Sequence, residues 1–322
     1  DINASFSSAL REAVPPRKTS SGRSEFEGPT WLVLAGCYSL WVFSLWGLGV
    51  LGWIAVFPLA VAIALHSSLQ HEILHGHPTR NALLNEALIS IPMGLFIPYR
   101  RFRDLHLRHH RDDRLTDPYD DPESFYQCHS EISESCGLVR ALLAVNATFA
   151  GRMLIGPAMA MFAFWAWDLR LFRSGDRRVI DAWMRHLILV SALIWVLYTF
   201  GVDGWLYFAA AYLGMSLIMV RSFIEHRADQ DVAARTAVVD AHWFWRLLFL
   251  NNNFHLVHHD RPSMAWYRLP RYWRAERETI AERNGGYVFP GYGSVAWRWM
   301  FRRREPYVHP LTNYGDAPDQ GA

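Results

Sequence analysis

Charge is scarce in this chain of 322 residues: Asp, Glu, Lys and Arg make up 19% of it, against a usual share of about 25%. The 32 basic residues nearly cancel the 30 acidic ones, so there is no bulk positive field to hold a nucleic-acid backbone, and no nucleic-acid partner is expected. Cysteine is scarcer still. Cys37, Cys128 and Cys136 contain no CxxC pair, which excludes iron–sulfur and structural zinc motifs of their own and leaves a disulfide framework unsupported. Repeats and low-complexity tracts are also missing. What is present excludes a disordered chain, because 51% of the residues are hydrophobic and 15% aromatic. The mean hydropathy of +0.01 is too low for a bare bundle of membrane helices. It fits either a Trp-rich soluble protein or a membrane protein with a large polar part.

The lack of charge is local. No Asp, Glu, Lys or Arg occurs between Trp31 and Leu69, and one membrane-spanning helix needs about 20 apolar residues. Two spans, about 31–48 and 50–69, therefore fit, with Gly47, Gly49 and Gly52 supplying the turn. The run from Leu187 to Val220 carries one charge, Asp203, inside the turn sequence Gly201-Val-Asp-Gly204. It gives spans of about 186–201 and 204–220. Arg11, Arg17, Lys18 and Arg23 precede the first span, Arg221 and Arg227 follow the last, and the hairpin turns carry no basic residue. By the positive-inside rule the termini and the region 70–186 face the cytoplasm, which suggests a bacterial inner membrane.

The expected fold class is an all-α membrane protein: two transmembrane helical hairpins with a cytoplasmic helical cap that carries the metal site. Residues 1–30 read as a mobile cytoplasmic tail without the apolar core of a cleavable signal. Residues 31–275 read as the membrane domain, and 276–322 as a cytoplasmic segment rich in Arg and aromatics. Its stretch 297–304, WRWMFRRR, suits a membrane surface, a partner or a solvated tail. Within 138–167, the apolar stretch 153–167 is 15 residues long, which suits an interfacial or re-entrant helix better than a fifth span. The stretch 84–98 has the same character, broken by Pro92 and Pro98.

The 15 histidines are clustered. His71 and His75 form an HxxxH box; His106, His109 and His110, and then His255, His258 and His259, form two HxxHH boxes. Random placement gives about 0.03 such HxxHH boxes in a chain of this length and composition. On a helix, positions i, i+3 and i+4 share a face, so each box points its imidazoles one way. Neutral imidazole suits zinc, copper, iron and nickel. Eight candidate ligands exceed one ion's coordination number and imply two ions. His226, shortly past the end of the fourth span, is a further candidate, with His242 the next in line. His66, His77, His129, His186 and His309 read as structural.

The boxes HEILH, HLRHH and HLVHH, arranged around two hairpins, together with NNNFHLVHHDRPSMAWYRLP, resemble the membrane-bound fatty acid desaturase and hydroxylase superfamily over roughly 30–275. The resemblance implies two iron ions held by these histidines, dioxygen as co-substrate and electrons from a separate carrier of the ferredoxin type. It strengthens His226 as a ninth ligand and nominates Asn251, Asn252 and Asn253 for a water-mediated contact. The short HxxxH box departs from the longer form of animal acyl-CoA desaturases, and no heme-domain HPGG motif or rubredoxin-like cysteine set accompanies it. The HGHP sequence at 75–78 resembles a bacterial branch, some of whose members act on small amino compounds.

The expected reaction is hydrogen abstraction from an unactivated C–H position of a fatty acyl or lipid-linked chain, giving an alkene or an alcohol. Carotenoids and small amino compounds are the alternative substrates. A zinc-dependent membrane hydrolase would keep three protein ligands per zinc, and a metal transporter would need ionisable groups inside its spans; both fit poorly. Glu72, Asp104, Asp112 and Glu225 adjoin the boxes and are candidates to orient imidazoles. The acidic cluster Asp117, Asp120, Asp121 and Glu123 reads more readily as a solvated, turn-rich loop than as a lining of the site.

Overall fold

The computed structural model describes residues 26–111 and 114–311. Four of its helices are long and apolar enough to cross a membrane: α1 Gly28–Leu51, α2 Trp53–Leu74, α9 Arg177–Thr199 and α10 Gly204–Ser222. They form two hairpins, and α2 and α10 pack along one another at the centre. Between the hairpins lie α3 Ala82–Leu88, α4 Tyr99–His109, α5 His129–Ser133, α6 Gly137–Asn146, α7 Phe149–Leu154 and α8 Gly156–Arg173. After α10 come strand β1 Val238–Val239, α11 Trp243–Leu248, α12 His255–Asp260, α13 Leu269–Arg283, strand β2 Val288–Phe289 and α14 Tyr292–Trp299. Strands β1 and β2 pair in parallel, Val238 with Val288 and Val239 with Phe289.

The charge-free runs produce spanning helices because such a helix satisfies its own backbone polar groups. Their boundaries differ from the expected ones. Helix α1 starts at Gly28, inside the expected tail, with Pro29 in its first turn, where a missing N–H costs nothing. The first turn falls at Gly52 alone, whose φ of +56° favours glycine; Gly47 and Gly49 remain helical, and a Cβ on Gly47 would come within 3.2 Å of Ala55. The second turn lies where expected: Gly201 has φ +66°, and the Asp203 carboxylate accepts from the backbone N–H of Trp205 at 2.8 Å. Helix α9 begins at Arg177 rather than near 186, because Asp176 caps it and Asp181 meets Arg185 at 2.9 Å and Arg100 at 2.8 Å. Those partners let a charged, interfacial first part continue into the apolar span.

Residues 138–167 form α6, α7 and most of α8, none of them a candidate span among the described residues. Residues 1–25 of the expected tail 1–30, Asp112 and the end 312–322 lie outside the described residues. Cys37, Cys128 and Cys136 are free thiols.

Two buried clusters support the site. One surrounds the ends of α2 and α10 with Leu69, Ile73, Phe223, Ile224 and Phe249; the other fills the spans with Leu59, Ile63, Met93 and Tyr207. Helix α4 is tied to the membrane layer by a buried pair: Arg101 donates to Asp168 through Nε at 2.9 Å and Nη2 at 2.8 Å. Trp183 Nε1 donates to the same carboxylate at 2.8 Å.

Candidate metal centre

All three boxes and His226 converge. His71, His75, His106, His110 and His258 form one group; His109, His226, His255 and His259 form a second. Within each group one ligand atom per residue lies within 4.8 Å of all the others. The groups abut, with the His110 and His259 rings 4.4 Å apart. His242, at the N-cap of α11, lies in neither group.

Each histidine is placed by a specific piece of backbone. His71 sits in the last turn of α2, and the helix stops at His75 because Gly76 takes φ +98°. His106 and His109 belong to α4, and His110 caps it. His226 forms an isolated antiparallel bridge to Thr236, flanked by hydrogen bonds from Arg227 N–H to Arg235 and from Ala237 N–H to Glu225, both 2.9 Å. Before α12, Leu250 and Asn251 both have positive φ, 46° and 56°. This tight reversal sends the third box back into the cap, and its strain is held by a buried surrounding.

The boxes divide differently from the expectation that each presents one face to one place. In the second box, His106 and His110 (i and i+4) go to the first group and His109 (i+3) to the second. In the third box the roles swap: His255 and His259 go to the second group and His258 to the first. Two short helices wedged between the groups can each serve both, since i+3 and i+4 point about 100° apart around the helix axis.

Four outer nitrogens, those of His106, His109, His226 and His255, have acceptors. His109 Nδ1 lies 2.7 Å from Asp121 and His106 Nδ1 2.8 Å from Glu123. His255 Nδ1 lies 3.0 Å from Asn252 Oδ1 and 3.4 Å from Glu225, and His226 Nδ1 is 3.2 Å from the Thr236 hydroxyl. An Nδ1–H given to these acceptors turns the Nε2 lone pair inward. The inner nitrogens then crowd one another. His110 Nε2 is 3.0 Å from both His106 Nε2 and His258 Nε2; His255 Nε2 is 3.0 Å from His226 Nε2 and 3.2 Å from His259 Nε2. A ring nitrogen holds one proton or one lone pair, so two such contacts at one atom cannot both be hydrogen bonds. A cation between them resolves the conflict. These separations also match the edges of a coordination shell with bonds of about 2.0–2.1 Å.

Electrostatics favours the same occupant. Burial and neighbouring imidazoles hold His75, His226, His255 and His258 well below the ordinary histidine range, so they stay neutral and ready to ligate. His109 differs: burial opposes its charge, but Glu123 and Asp121 outweigh that and raise it to about 9. Those carboxylates favour a cation at this spot.

Several nominations shift. Asp121 and Glu123 separate from the acidic loop and support His109 and His106, whereas Asp117 caps the turn at Tyr119 and Asp120 pairs with Arg114. The signal that hid them was their setting in Asp-Pro turns, which the loop also uses. Asn252 alone of the three asparagines reaches the imidazoles, contacting His71 Nε2 at 3.3 Å as well as His255. Asn251 accepts from Arg246 and donates to the Trp266 carbonyl, and Asn253 donates to the Val239 carbonyl. Glu72 turns away from the boxes, accepting from Trp266 N–H at 2.9 Å beside His77 and Glu27. Asp104 pairs with Arg103 at the surface.

The family model for fatty acid desaturases matches residues 44–291, and the chain belongs to that family. No curated protein matches it. Family and fold together define an integral membrane oxidoreductase of the desaturase and hydroxylase type, whose members use di-iron centres.

Proposed function

We propose that the chain is an oxygen-dependent di-iron enzyme that desaturates or hydroxylates an unactivated C–H position, with a fatty acyl or lipid-linked chain as the favoured substrate. The observation that carries this reading is the mutual facing of inner Nε2 atoms, 3.0–3.2 Å apart, in both groups. His71, His75, His106, His110 and His258 would hold one iron, and His109, His226, His255 and His259 the other. Iron bound there supplies the means to activate dioxygen for hydrogen abstraction. Desaturation balances as loss of two hydrogens from adjacent carbons, with dioxygen, two electrons and two protons giving two waters. The electrons come from an external carrier of the ferredoxin type.

The protein's own contribution is placement. Asp121, Glu123, Asn252 and Thr236 fix ring orientation, and Asn252 touches both groups. By the positive-inside argument the centre faces the cytoplasm, in keeping with a bacterial inner membrane.

Metal analysis with Mössbauer spectroscopy of the purified chain tests the reading. Two irons per chain are expected; zinc without iron would overturn it. Comparing lipids and polar metabolites of cells with and without the gene, under oxygen, tests the substrate. A new alkene or hydroxyl in acyl chains is expected, and a change confined to polar metabolites would move the substrate to small amino compounds.

A further inference from the structure

We propose that α14 and the arginines after it form, with α6, a membrane-contacting surface beyond the four spans, seated in the headgroup layer of the same bilayer and favouring anionic phospholipid. The inference does not depend on the metal reading.

Depth is the first observation. Phe223 caps α10 directly, and its ring meets Phe149 of α7 at 5.4 Å and Trp299 of α14 at 6.4 Å. Both helices therefore stand where the fourth span ends. From there α7 runs down beside α10, so that the Tyr212 hydroxyl, from the middle of the span, donates to the Leu154 carbonyl at 2.6 Å.

Exposure is the second. At this level Trp297 is 90% exposed and Phe301 86% exposed. Helix α6 adds Leu138, Val139, Leu142 and Val145, all exposed and spaced i, i+1, i+4, i+7 along one face. Val145 and Phe301 line one shallow depression with Arg302 and Arg303. The pieces are joined by backbone: Ala150 N–H donates to the Met300 carbonyl at 3.0 Å, and Arg304 N–H to the Ala147 carbonyl at 3.1 Å. Aromatic and aliphatic side chains at the end of a span belong in the interfacial layer, not in water.

Charge is the third. Neither 137–154 nor 291–304 contains an Asp or Glu, while Arg140, Arg298, Arg302 and Arg303 are exposed. Arginines that rim an apolar face at the bilayer surface draw anionic lipid. An acidic soluble protein would match this charge but not the depth. The seat reaches the metal centre through one side chain, since Arg304 Nη2 donates to the His226 carbonyl at 2.8 Å.

The test places a spin label at Phe301→Cys in the full chain, with exposed Cys136 replaced by Ser, in nanodiscs of phosphatidylcholine with or without phosphatidylglycerol. Leu142→Cys is the second label site, and Glu278→Cys, on the exposed side of α13, the water-facing control. Labels at 301 and 142 should be relaxed more by oxygen than by an aqueous nickel complex, and the label at 278 the reverse. Phosphatidylglycerol should draw label 301 deeper, and Arg302→Gln with Arg303→Gln should abolish that shift. Greater nickel than oxygen access at both sites overturns the proposal in favour of a soluble partner. A depth indifferent to lipid charge overturns it as well.

Discussion

The two imidazole groups are built to different plans. The first draws five histidines, two of them from the end of a spanning helix, and carries one carboxylate among its outer-nitrogen contacts, Glu123, whose side chain is 35% exposed. The second draws four, none from a span, and rests on Asp121, with 2% of its side chain exposed, and on Asn252 and Thr236. One group has two of its five histidines fixed by a spanning helix. The other has fewer histidines and depends on the loops and hydrogen bonds of the cap, which would leave room for a non-protein ligand on a bound metal. The difference teaches that a spanning helix can stand in for second-layer support.

The largest effect should come from the shared boxes. His255→Ala should lower activity by at least about 100-fold, beyond what loss of an orienting partner causes. Iron should fall toward one per chain by metal analysis; retention of both irons would remove His255 from the ligand set. Asp168→Ala should come next, since it strands Arg101 in a buried place, at a cost of about 3–5 kcal/mol. Because α4 serves both groups, denaturation in detergent should show lower stability and metal analysis an equal loss from the two. An unequal loss would show that α4 is not their common support. Asp121→Asn should then weaken iron binding or activity about 10–100-fold, with Glu123→Gln weaker, because water replaces part of its role; equal effects would erase the contrast between the groups. Asp120→Asn should change stability by no more than about 1 kcal/mol, with iron content unchanged.

Much of this was legible in sequence, for identifiable reasons. The charge-free runs and the Gly201–Gly204 turn located both hairpins, because apolar length is a one-dimensional property. The box spacings located eight histidines, and the place of His226 just past a span suggested the ninth. How the boxes divide was not legible. The choice between His258 and His259 for a given group depends on how α12 is rotated against α4, which is tertiary information. Asp121 was hidden because Asp in a turn has an adequate local explanation, and its burial and its 2.7 Å contact with His109 distinguish it from Asp117. Glu72 misled for the converse reason: adjacency to His71 in the chain places it on another side of α2, where it meets Trp266 and His77.

The exchange of roles between the second and third boxes has a mechanical consequence. Helix α12 extends His255 and His259 toward one group and His258 toward the other. A small roll of α12 about its axis therefore tightens one ligand set as it slackens the other, as a seesaw does. The reversal at Leu250 and Asn251, buried just before that helix, fixes where it starts.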